Sequence, residues 1–440
     1  MTTYPDFVIF MTLPWQGEGY EHTQRFVVSE LARQLQGRSR LICLEQPISL
    51  ISTTKHGARI KRVLGQVFKN NSLKVGSQNP LIFPPFFVFH PHLTERLRFP
   101  VQLNQWLLSL QLRATFKKLQ VEAPVLWLFY PWQVDYAQVI PRQLLIYHCC
   151  DDYLTPFSLD SRLGLRRRQE QEQRLLQQAD LVFVASPGVK TLKEAFSSKI
   201  HLLPNGVDHS LFSLARHPQT PVPKDLEAIK GPRIGYLGTL SERVDYHLLH
   251  HIACAKPEWS LVLVGPFYAP ARGRNFLSSP VVQGLKERDN VHFIGARPYQ
   301  TLPQYLKSFD VAIVPYQLND FNMSSCPLKL FEYMASGKPV VTTDLPVAHQ
   351  FAHVVAIAKN YDHFVELIGD SLSGHPPASG EELATVSRNH TWEKRIEDAL
   401  AFITAALSER RGDGHGTWRN LDGNQGQKRP LSSFARGKVV

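Results

Sequence analysis

The segment around Lys329 combines side chains whose types and spacing suit a phosphate-bearing ligand. Lys329 and Glu332 are three residues apart, which places them on one face of a helix. Pro327 is typical of the first turn of such a helix, and Gly337 of its C-terminal cap. Because the start of a helix presents free amides and the positive end of its dipole, it attracts anions, and Lys329 adds a positive charge there.

Two serines and a carboxylate complete this candidate donor site. Ser324 and Ser325 lie just before the helix, where their hydroxyl groups can donate hydrogen bonds to a phosphate. Glu332 can accept hydrogen bonds from two ribose hydroxyls, as carboxylates do at other nucleotide sites. The segment therefore predicts a diphosphate-nucleotide site. The alternative is a surface helix with an ion pair between Lys329 and Glu332.

A second group of candidates, His148, Asp151 and Asp152, follows a buried apolar run at 144–147. A general base must reach the hydroxyl that it activates, and a carboxylate at the end of a strand can do so. Asp151 and Asp152 are therefore candidates for activation of an acceptor. The alternatives are that Asp151 caps a turn and that Asp152 pairs with an arginine.

A third group lies in the loop after the first apolar run. Trp15, Gly17 and Gly19 are close together there, and His22 follows at the start of a helix. Glycines in such a loop allow a ligand to approach the backbone closely. The loop is therefore a candidate to approach a ligand in a cleft, whereas a lone histidine such as His22 is more often structural.

Short apolar runs alternate with longer amphipathic stretches almost throughout the chain, a pattern typical of βα units and a parallel sheet. It predicts two Rossmann-like domains whose parallel sheets face a cleft. The predicted strands are 6–12, 39–45, 125–129, 143–148, 180–184, 199–203, 233–237, 260–264, 291–294, 310–314, 339–342 and 354–358. The main predicted helices are 22–36, 100–119, 161–178, 187–196, 244–255, 327–336 and 392–407.

A stretch rich in proline and glycine interrupts this alternation and predicts the boundary between the domains. Ligands bind open parallel sheets at the carboxyl ends of their strands, so two such sheets would share a cleft. We predict an N-terminal acceptor-side domain, a linker, a C-terminal donor domain, a closing helix and a disordered basic tail, at residues 1–205, 206–231, 232–390, 391–408 and 409–440.

Composition narrows the class of protein. The chain has 440 residues, and its five cysteines contain no Cys-x-x-Cys pair, which argues against a disulfide framework or a zinc site and favours a reducing compartment. The apolar run at 7–13 is short and follows Asp6, so it suits a buried strand better than an export signal. We expect a cytoplasmic protein, with peripheral attachment to the inner face of the plasma membrane as an open alternative.

The net charge of +11 is unevenly distributed. Residues 55–120 contain eleven lysines and arginines and a single acid, Glu95. Such a region suits an anionic membrane surface, a phosphorylated acceptor or a solvated basic face. Residues 101–119 suit either a membrane-surface helix or an ordinary amphipathic helix packed on its sheet. We expect no nucleic-acid partner, because the chain has no recognisable DNA- or RNA-binding motif.

Residues 326–341 as a whole resemble the donor motif of the GT-B glycosyltransferases, in particular the retaining family 4. Further segments are similar to that family in the same order along the chain. They are Pro-Asn-Gly-Val-Asp at 204–208, Gly-Tyr-Leu-Gly at 235–238 with Arg243, Leu-Val-Leu-Val-Gly at 261–265 and Asn-Val-His-Phe-Ile-Gly at 290–295. The resemblance covers roughly residues 140–405.

The resemblance implies roles for particular residues. Gly238, Arg243 and Lys329 would meet the donor diphosphate, and His148 would hydrogen-bond the transferred sugar at the cleft. The family often carries a glutamate eight positions before the second one, where this chain has Ser324. The resemblance also implies transfer without a metal ion or cofactor. Asp151 and Asp152 are the nearest candidates for an acidic metal motif, and we do not interpret them as a metal site.

These observations predict a glycosyltransferase that moves a sugar from a nucleotide-diphosphate sugar to a hydroxyl group of a glycan or lipid-linked acceptor. The branch that it resembles assembles bacterial cell-surface polysaccharides. One alternative is a nucleotide-sugar epimerase of the same fold, which needs no acceptor. Another is a degenerate glycan- or lipid-binding protein without catalytic activity, for which Ser324 is the main argument.

Overall fold

The computed structural model describes residues 4–12, 23–45, 47–49, 80–89, 98–154, 162–268, 276–412, 418–419 and 425–426. Two parallel β-sheets with helices on their faces make up most of this described part. Because nearly every strand of the sheets is apolar and buried along its length, each sheet needs helices on both faces. The predicted fold class, two Rossmann-like α/β units, is confirmed.

The first sheet contains seven parallel strands in the order β4-β2-β1-β6-β7-β8-β9. Its strands and the short strands beside it are β1 (Phe7–Phe10), β2 (Leu41–Leu44), β3 (Ile48–Ser49), β4 (Leu81–Phe83), β5 (Phe86–Phe87), β6 (Val125–Leu128), β7 (Leu144–Cys149), β8 (Leu181–Val184) and β9 (Ile200–Leu202). The helices of this half are α1 (Thr23–Gln34), α2 (Arg98–Leu119), α3 (Val134–Ala137), α4 (Arg162–Gln178) and α5 (Pro187–Lys193).

The second sheet contains six parallel strands in the order β12-β11-β10-β13-β14-β15. They are β10 (Arg233–Leu237), β11 (Ser260–Val264), β12 (Val291–Gly295), β13 (Val311–Val314), β14 (Val340–Thr343) and β15 (Ala356–Ala358). The remaining helices are α6 (His209–Phe212), α7 (Lys224–Glu227), α8 (Tyr246–Ala255), α9 (Pro280–Lys286), α10 (Leu302–Lys307), α11 (Asp320–Ser324), α12 (Leu328–Ser336), α13 (Tyr361–Leu372), α14 (Gly380–Arg388) and α15 (Trp392–Gly412).

The strands predicted from continuous apolar runs are all present within a few residues of their predicted limits. Five short strands were not predicted, because two or three residues are too few to show a periodic pattern. They are β3, β4, β5 and an antiparallel pair, Trp418–Arg419 with Gln425–Gly426, which lies in the tail predicted to be disordered. The predicted connection at 206–231 contains the short helices α6 and α7. The predicted domain limits stay a prediction.

Helix α15 returns from the second half of the chain to the first sheet. It packs, together with α1, on one face of that sheet. Its buried residues in this core are Trp392, Ile396, Ala399, Leu400, Ile403 and Leu407. The helix continues to Gly412, five residues beyond the predicted end, and most of the predicted tail lies outside the described residues.

Asn205 links the two halves of the chain through two hydrogen bonds. Its side-chain oxygen accepts a hydrogen bond from Thr23 Oγ1 at 3.0 Å, and its amide nitrogen donates to the carbonyl of Cys326 at 2.7 Å. A Cβ atom at the neighbouring Gly206 would lie 2.7 Å from the Trp392 nitrogen, so only glycine allows this close approach. Asn205 therefore links α1 to the segment that precedes α12.

Gly235 in β10 allows the packing of the core around the second sheet to be tested. A Cβ atom there would lie 1.9 Å from the ring of Phe309, which is fully buried. We expect Gly235→Ala to destabilise the protein by about 1–3 kcal/mol through overpacking, measured as a lower midpoint of thermal unfolding. Gly284→Ala is the matched control, since its Cβ would meet nothing closer than 3.8 Å in helix α9. Equal midpoints for the two variants would contradict this packing.

Candidate functional site

Lys329 lies in the first turn of α12, at the carboxyl ends of β10 and β13, and only 9% of it is exposed. Its ammonium group donates a hydrogen bond to the Tyr316 hydroxyl and lies 4.6 Å and 5.0 Å from the ring centres of Tyr316 and Tyr236. A Cβ atom at Gly238 would lie 3.2 Å from Lys329 Nζ, so this glycine makes room for the cation. The ion pair with Glu332, considered above as the alternative to a nucleotide site, does not form.

Arg243 is the second cation of the site. Its Nε donates to the side-chain oxygen of Asn322 and its Nη2 to the Ser325 hydroxyl, both at 3.0 Å. The guanidinium also lies 4.8 Å from the ring centres of Tyr316 and Phe321. Since Asn322 is fully buried, the position of the arginine is fixed before any ligand arrives.

The two cations share Tyr316, and this affects its acidity. Burial alone would raise the pKa of its hydroxyl, but the positive charges of Lys329 and Arg243 lower that pKa overall. Neither cation has a carboxylate within 4 Å among the residues that the structure describes. The direct contacts of the two cations are therefore with polar and aromatic groups.

The start of α12 adds backbone donors to this positive charge. Pro327 is the N-cap residue and no side chain caps the helix, so the first amides point outward without a side-chain acceptor. At the other end Gly337 adopts the left-handed conformation, with φ 69°, as predicted. An uncapped helix start beside two cations is suited to a diphosphate.

Glu332 lies one turn further along α12 and is half-buried. Burial raises the pKa of this carboxyl to about 7, although Lys329 and a hydrogen bond from Tyr299 oppose the rise. The ring of Tyr299 packs on Phe26 of α1 and on Phe212, at centre distances of 5.6 Å and 5.4 Å. Glu332 therefore lies where the second half of the molecule meets α1.

Ser325 and Ser324 have different surroundings. Ser325 is part of the Arg243 network, as described above. The carbonyl of Ser324 instead accepts a hydrogen bond from the Ser186 hydroxyl at the start of α5, and its own hydroxyl donates to the Phe321 carbonyl at 3.1 Å. A Cβ atom at Gly188 would lie 2.9 Å from Ser324 Cα. At Ser324 the two halves of the chain are in direct contact.

Asp151 faces this site from the first sheet, just after β7. Burial raises the pKa of its carboxyl, the positive charge of Arg243 lowers it and the negative charge of Asp152 raises it further, with a net increase. The interaction with Arg243 crosses from one half of the chain to the other. A carboxyl group with a raised pKa at the edge of the site is suited to exchange a proton with a hydroxyl.

Asp152 belongs to a buried ionic cluster in the first half. Its carboxylate binds Lys193 Nζ at 3.0 Å, and the same ammonium binds Glu172 at 2.8 Å. Tyr147 also donates to Glu172 at 2.8 Å. A lysine is thus among the partners of Asp152, and Glu172 on α4 is 1% exposed.

His148 lies inside the first sheet, in β7, and is 2% exposed. Its ring is surrounded by Trp127, Phe129 and Phe183, with ring-centre distances of 5.3–6.0 Å. Burial lowers the pKa of His148 to about 3, so the imidazole is neutral at physiological pH, and its Nδ1 has no hydrogen-bond partner in the described part of the chain. The structure therefore places it in an apolar environment, and its predicted contact with a sugar stays a prediction.

Three predictions from sequence remain, on the loop after β1, on metal ions and on the membrane. Trp15, Gly17, Gly19 and His22 lie outside the described residues. Within the described ranges, no cluster of three histidine, cysteine, aspartate or glutamate side chains could hold a metal ion. None of the helices in those ranges combines the length and apolarity needed to cross a bilayer.

Sequence reasoning missed four residues that shape the site: Tyr236, Tyr316, Asn322 and Tyr299. The two tyrosines that contact Lys329 follow a simple rule, because Tyr316 comes two residues after a predicted strand and Tyr236 is the second-last residue of the strand that precedes Gly238. Such positions reach the carboxyl edge of a sheet. Asn322 and Tyr299 are connected to Arg243 and Glu332 only through the tertiary fold, so no local pattern indicates them.

The part of the chain that carries this site is similar to a known protein family. Residues 231–372, which contain Gly238, Arg243, Lys329 and Glu332, match the family model described as "Glycosyl transferases group 1". A curated relative, "Putative teichuronic acid biosynthesis glycosyltransferase TuaH" of Bacillus subtilis (strain 168), is 31% identical over 229 residues. That match covers 50% of this chain and 55% of the relative, so it spans about half of the relative's length.

Solved structures share the fold over most of the chain. Sucrose-phosphate synthase from Thermosynechococcus elongatus superposes with a TM-score of 0.65 at 16% identity, covering 92% of this chain and all of that one. Anabaena Alr3699/HepE in complex with UDP and glucose has a TM-score of 0.59 at 14% identity, covering 91% of this chain and all of that one. At these identities the likeness shows the fold alone.

The Lys193 cluster yields a test of the first half. Lys193→Met would leave the carboxylates of Glu172 and Asp152 buried without their cation, and we expect a loss of about 3–5 kcal/mol of stability, seen as a lower midpoint of thermal unfolding. Lys190→Met on the same helix removes an exposed lysine and should change stability by less than about 0.5 kcal/mol. If both variants unfold at the wild-type temperature, the cluster does not hold the segment after β7.

Proposed function

We propose that this chain belongs to the group 1 glycosyltransferases of the GT-B fold, and that it transfers a sugar from a nucleotide-diphosphate sugar to a hydroxyl acceptor. One observation supports the donor most strongly. Arg243 and Lys329 flank the uncapped start of α12 without a carboxylate partner within 4 Å in the described part of the chain, and Glu332 follows one turn later. This arrangement offers positive charge and backbone donors to a diphosphate and a carboxylate to a ribose.

In the proposed reaction, the bond between the sugar and the diphosphate breaks as the acceptor oxygen attacks. Negative charge develops on the departing diphosphate, and Arg243 and Lys329 stabilise it because their network holds them in place beforehand. Asp151, across the site, accepts the proton of the acceptor hydroxyl. No metal ion is needed in this scheme, because the two cations and the amides of α12 supply the positive charge.

The acceptor is proposed to be a glycan or a lipid-linked glycan of the bacterial cell surface. The support is the relative from Bacillus subtilis, whose name assigns it to teichuronic acid biosynthesis. Nucleotide sugars and polymer precursors meet inside the cell, so the proposed location is the cytoplasm or the inner face of the plasma membrane. A nucleoside diphosphate bound to glucose is the natural first candidate donor, since a structural relative was solved with UDP and glucose.

The donor site can be tested by thermal stabilisation with a panel of nucleoside diphosphates and their sugars. A ligand that binds only the folded protein at 100 times its dissociation constant stabilises it by about 2.7 kcal/mol. We expect one base to raise the unfolding midpoint selectively, and Lys329→Met or Glu332→Ala to abolish that rise. Glu366→Ala, an exposed glutamate on α13, is the matched control and should keep it.

The outcomes of this panel separate the proposal from its rivals. A selective rise followed by release of nucleoside diphosphate only when an acceptor is present supports the transferase. Turnover of the sugar nucleotide alone would indicate an epimerase. A folded wild-type protein that none of the nucleotides stabilises would rule out the donor site.

Glu332 makes nucleotide binding depend on pH. Its pKa of about 7 in the folded protein lies above the ordinary value of 4.5, so the group is mostly protonated at pH 6 and ionised at pH 8. The stability that this shift contributes is present below pH 4.5 and is lost as the pH rises through 7. Only the ionised form accepts hydrogen bonds from both ribose hydroxyls, so binding should strengthen through the same range.

We therefore expect the Kd of wild type for the selected nucleotide to rise by about tenfold from pH 8 to pH 6, relative to Glu332→Gln. The comparison removes the ionisation of the phosphate itself, which is common to both proteins. Isothermal titration calorimetry across this range measures the difference. Parallel profiles for the two proteins would show that Glu332 does not contact the nucleotide.

A further inference from the structure

Three large apolar side chains form an exposed stripe along the outer face of helix α2. Phe99 is 68% exposed, Trp106 58% and Leu110 46%. Because successive residues of a helix are about 100° apart, spacings of seven and four residues place these three within about 40° of one another. Lys117, seven residues after Leu110, falls on the same line and is exposed as well.

The opposite face of α2 already has its partner. Leu108, Leu112 and Phe116 are buried against the first sheet. Asn104, fully buried, accepts hydrogen bonds from the amides of Val88 and Phe89. The helix is therefore fixed by its inner face, and its outer stripe adds nothing to the core. We refer to Phe99, Trp106, Leu110 and Lys117 as the outer stripe.

Helix α2 combines its outer stripe with a positive charge. Phe116 belongs to the inner face, so it is not part of the outer stripe. Helix α2 contains four basic residues and no acidic one, and the eleven basic residues of 55–120 include them. An aromatic and apolar stripe that continues into a lysine complements a surface that is apolar with anionic headgroups.

The direction of α2 relates this stripe to the proposed active site. The helix ends six residues before β6 begins, so its C-terminal end lies near the start of the strands and its N-terminal end near their carboxyl ends. Gln105 bonds to the carbonyl of Asp135, just beyond the carboxyl end of β6, which fixes this orientation. The apolar part of the outer stripe thus lies towards the sheet edge at which Asp151 is found.

We propose that the outer stripe docks the protein on the surface of an anionic lipid bilayer. Phe99, Trp106 and Leu110 enter the interfacial layer, and Lys117 contacts lipid phosphates. This deepens the proposed function by naming the surface that would bring the enzyme to a lipid-linked acceptor. Docking itself needs neither the nucleotide nor catalysis, so the two proposals fail separately.

Co-sedimentation of the full chain with vesicles tests the docking. We expect binding to vesicles of phosphatidylcholine and phosphatidylglycerol to be at least tenfold tighter than to phosphatidylcholine alone, and to weaken at high salt. The variant Phe99→Ser/Trp106→Ser/Leu110→Ser should lose at least tenfold, and Lys117→Glu should lose the preference for the anionic lipid. Leu214→Ser, which removes an equally exposed leucine elsewhere, is the matched control and should bind as wild type does.

Circular dichroism and the midpoint of thermal unfolding test whether the triple variant is folded, which we expect because its substitutions are on the surface. Wild-type binding that the triple variant retains would overturn the proposal, as would wild type that binds neither kind of vesicle. Light scattering tests the remaining possibility, that a second copy of the chain binds the outer stripe. A wild-type dimer that the triple variant converts to a monomer, without a change in vesicle binding, would assign the stripe to a second copy of the chain.

Discussion

Two positive charges that share one tyrosine ring are the constraint on which much of the second half of this protein depends. Arg243 and Lys329 both lie against the ring of Tyr316, and within the described ranges no carboxylate lies within 4 Å of either. Repulsion between like charges disfavours such a pair unless other groups hold it. Ring faces, a buried asparagine, and serine and tyrosine hydroxyls hold the two cations here, and the diphosphate proposed above would supply the opposite charge.

This constraint explains several details of the fold that otherwise look unrelated. Gly238 leaves space for the side chain of Lys329. Gly265 in turn packs against Gly238, since a Cβ atom at position 265 would lie only 2.0 Å from the Gly238 carbonyl oxygen. Asn322 is fully buried although it is polar, because it orients the arginine. The contact of Ser324 with Ser186 and Gly188 closes the first half of the chain over this region, which brings Asp151 opposite the same arginine.

Much of the fold could be predicted from sequence because buried parallel strands are continuous apolar runs, and β7 or β13 can be recognised from them alone. The spacing of Lys329 and Glu332 and the glycine cap of α12 are local properties and could also be predicted. Their partners could not. Tyr299 approaches Glu332 from a different βα unit, and Glu172 meets Lys193 across two elements, so their pairing depends on tertiary structure that periodicity does not encode.

Helix α15 is among the last described parts of the chain, yet it covers one face of the first sheet. During synthesis, the ribosome adds the residues of this helix only after the whole second sheet has been made. Until then, the apolar side chains around Ile146 and Phe183 lack one of their covering helices, and exposed apolar surface favours association with other chains. The order of the elements along the chain therefore makes the first half, although synthesised first, dependent on helix α15 for completion.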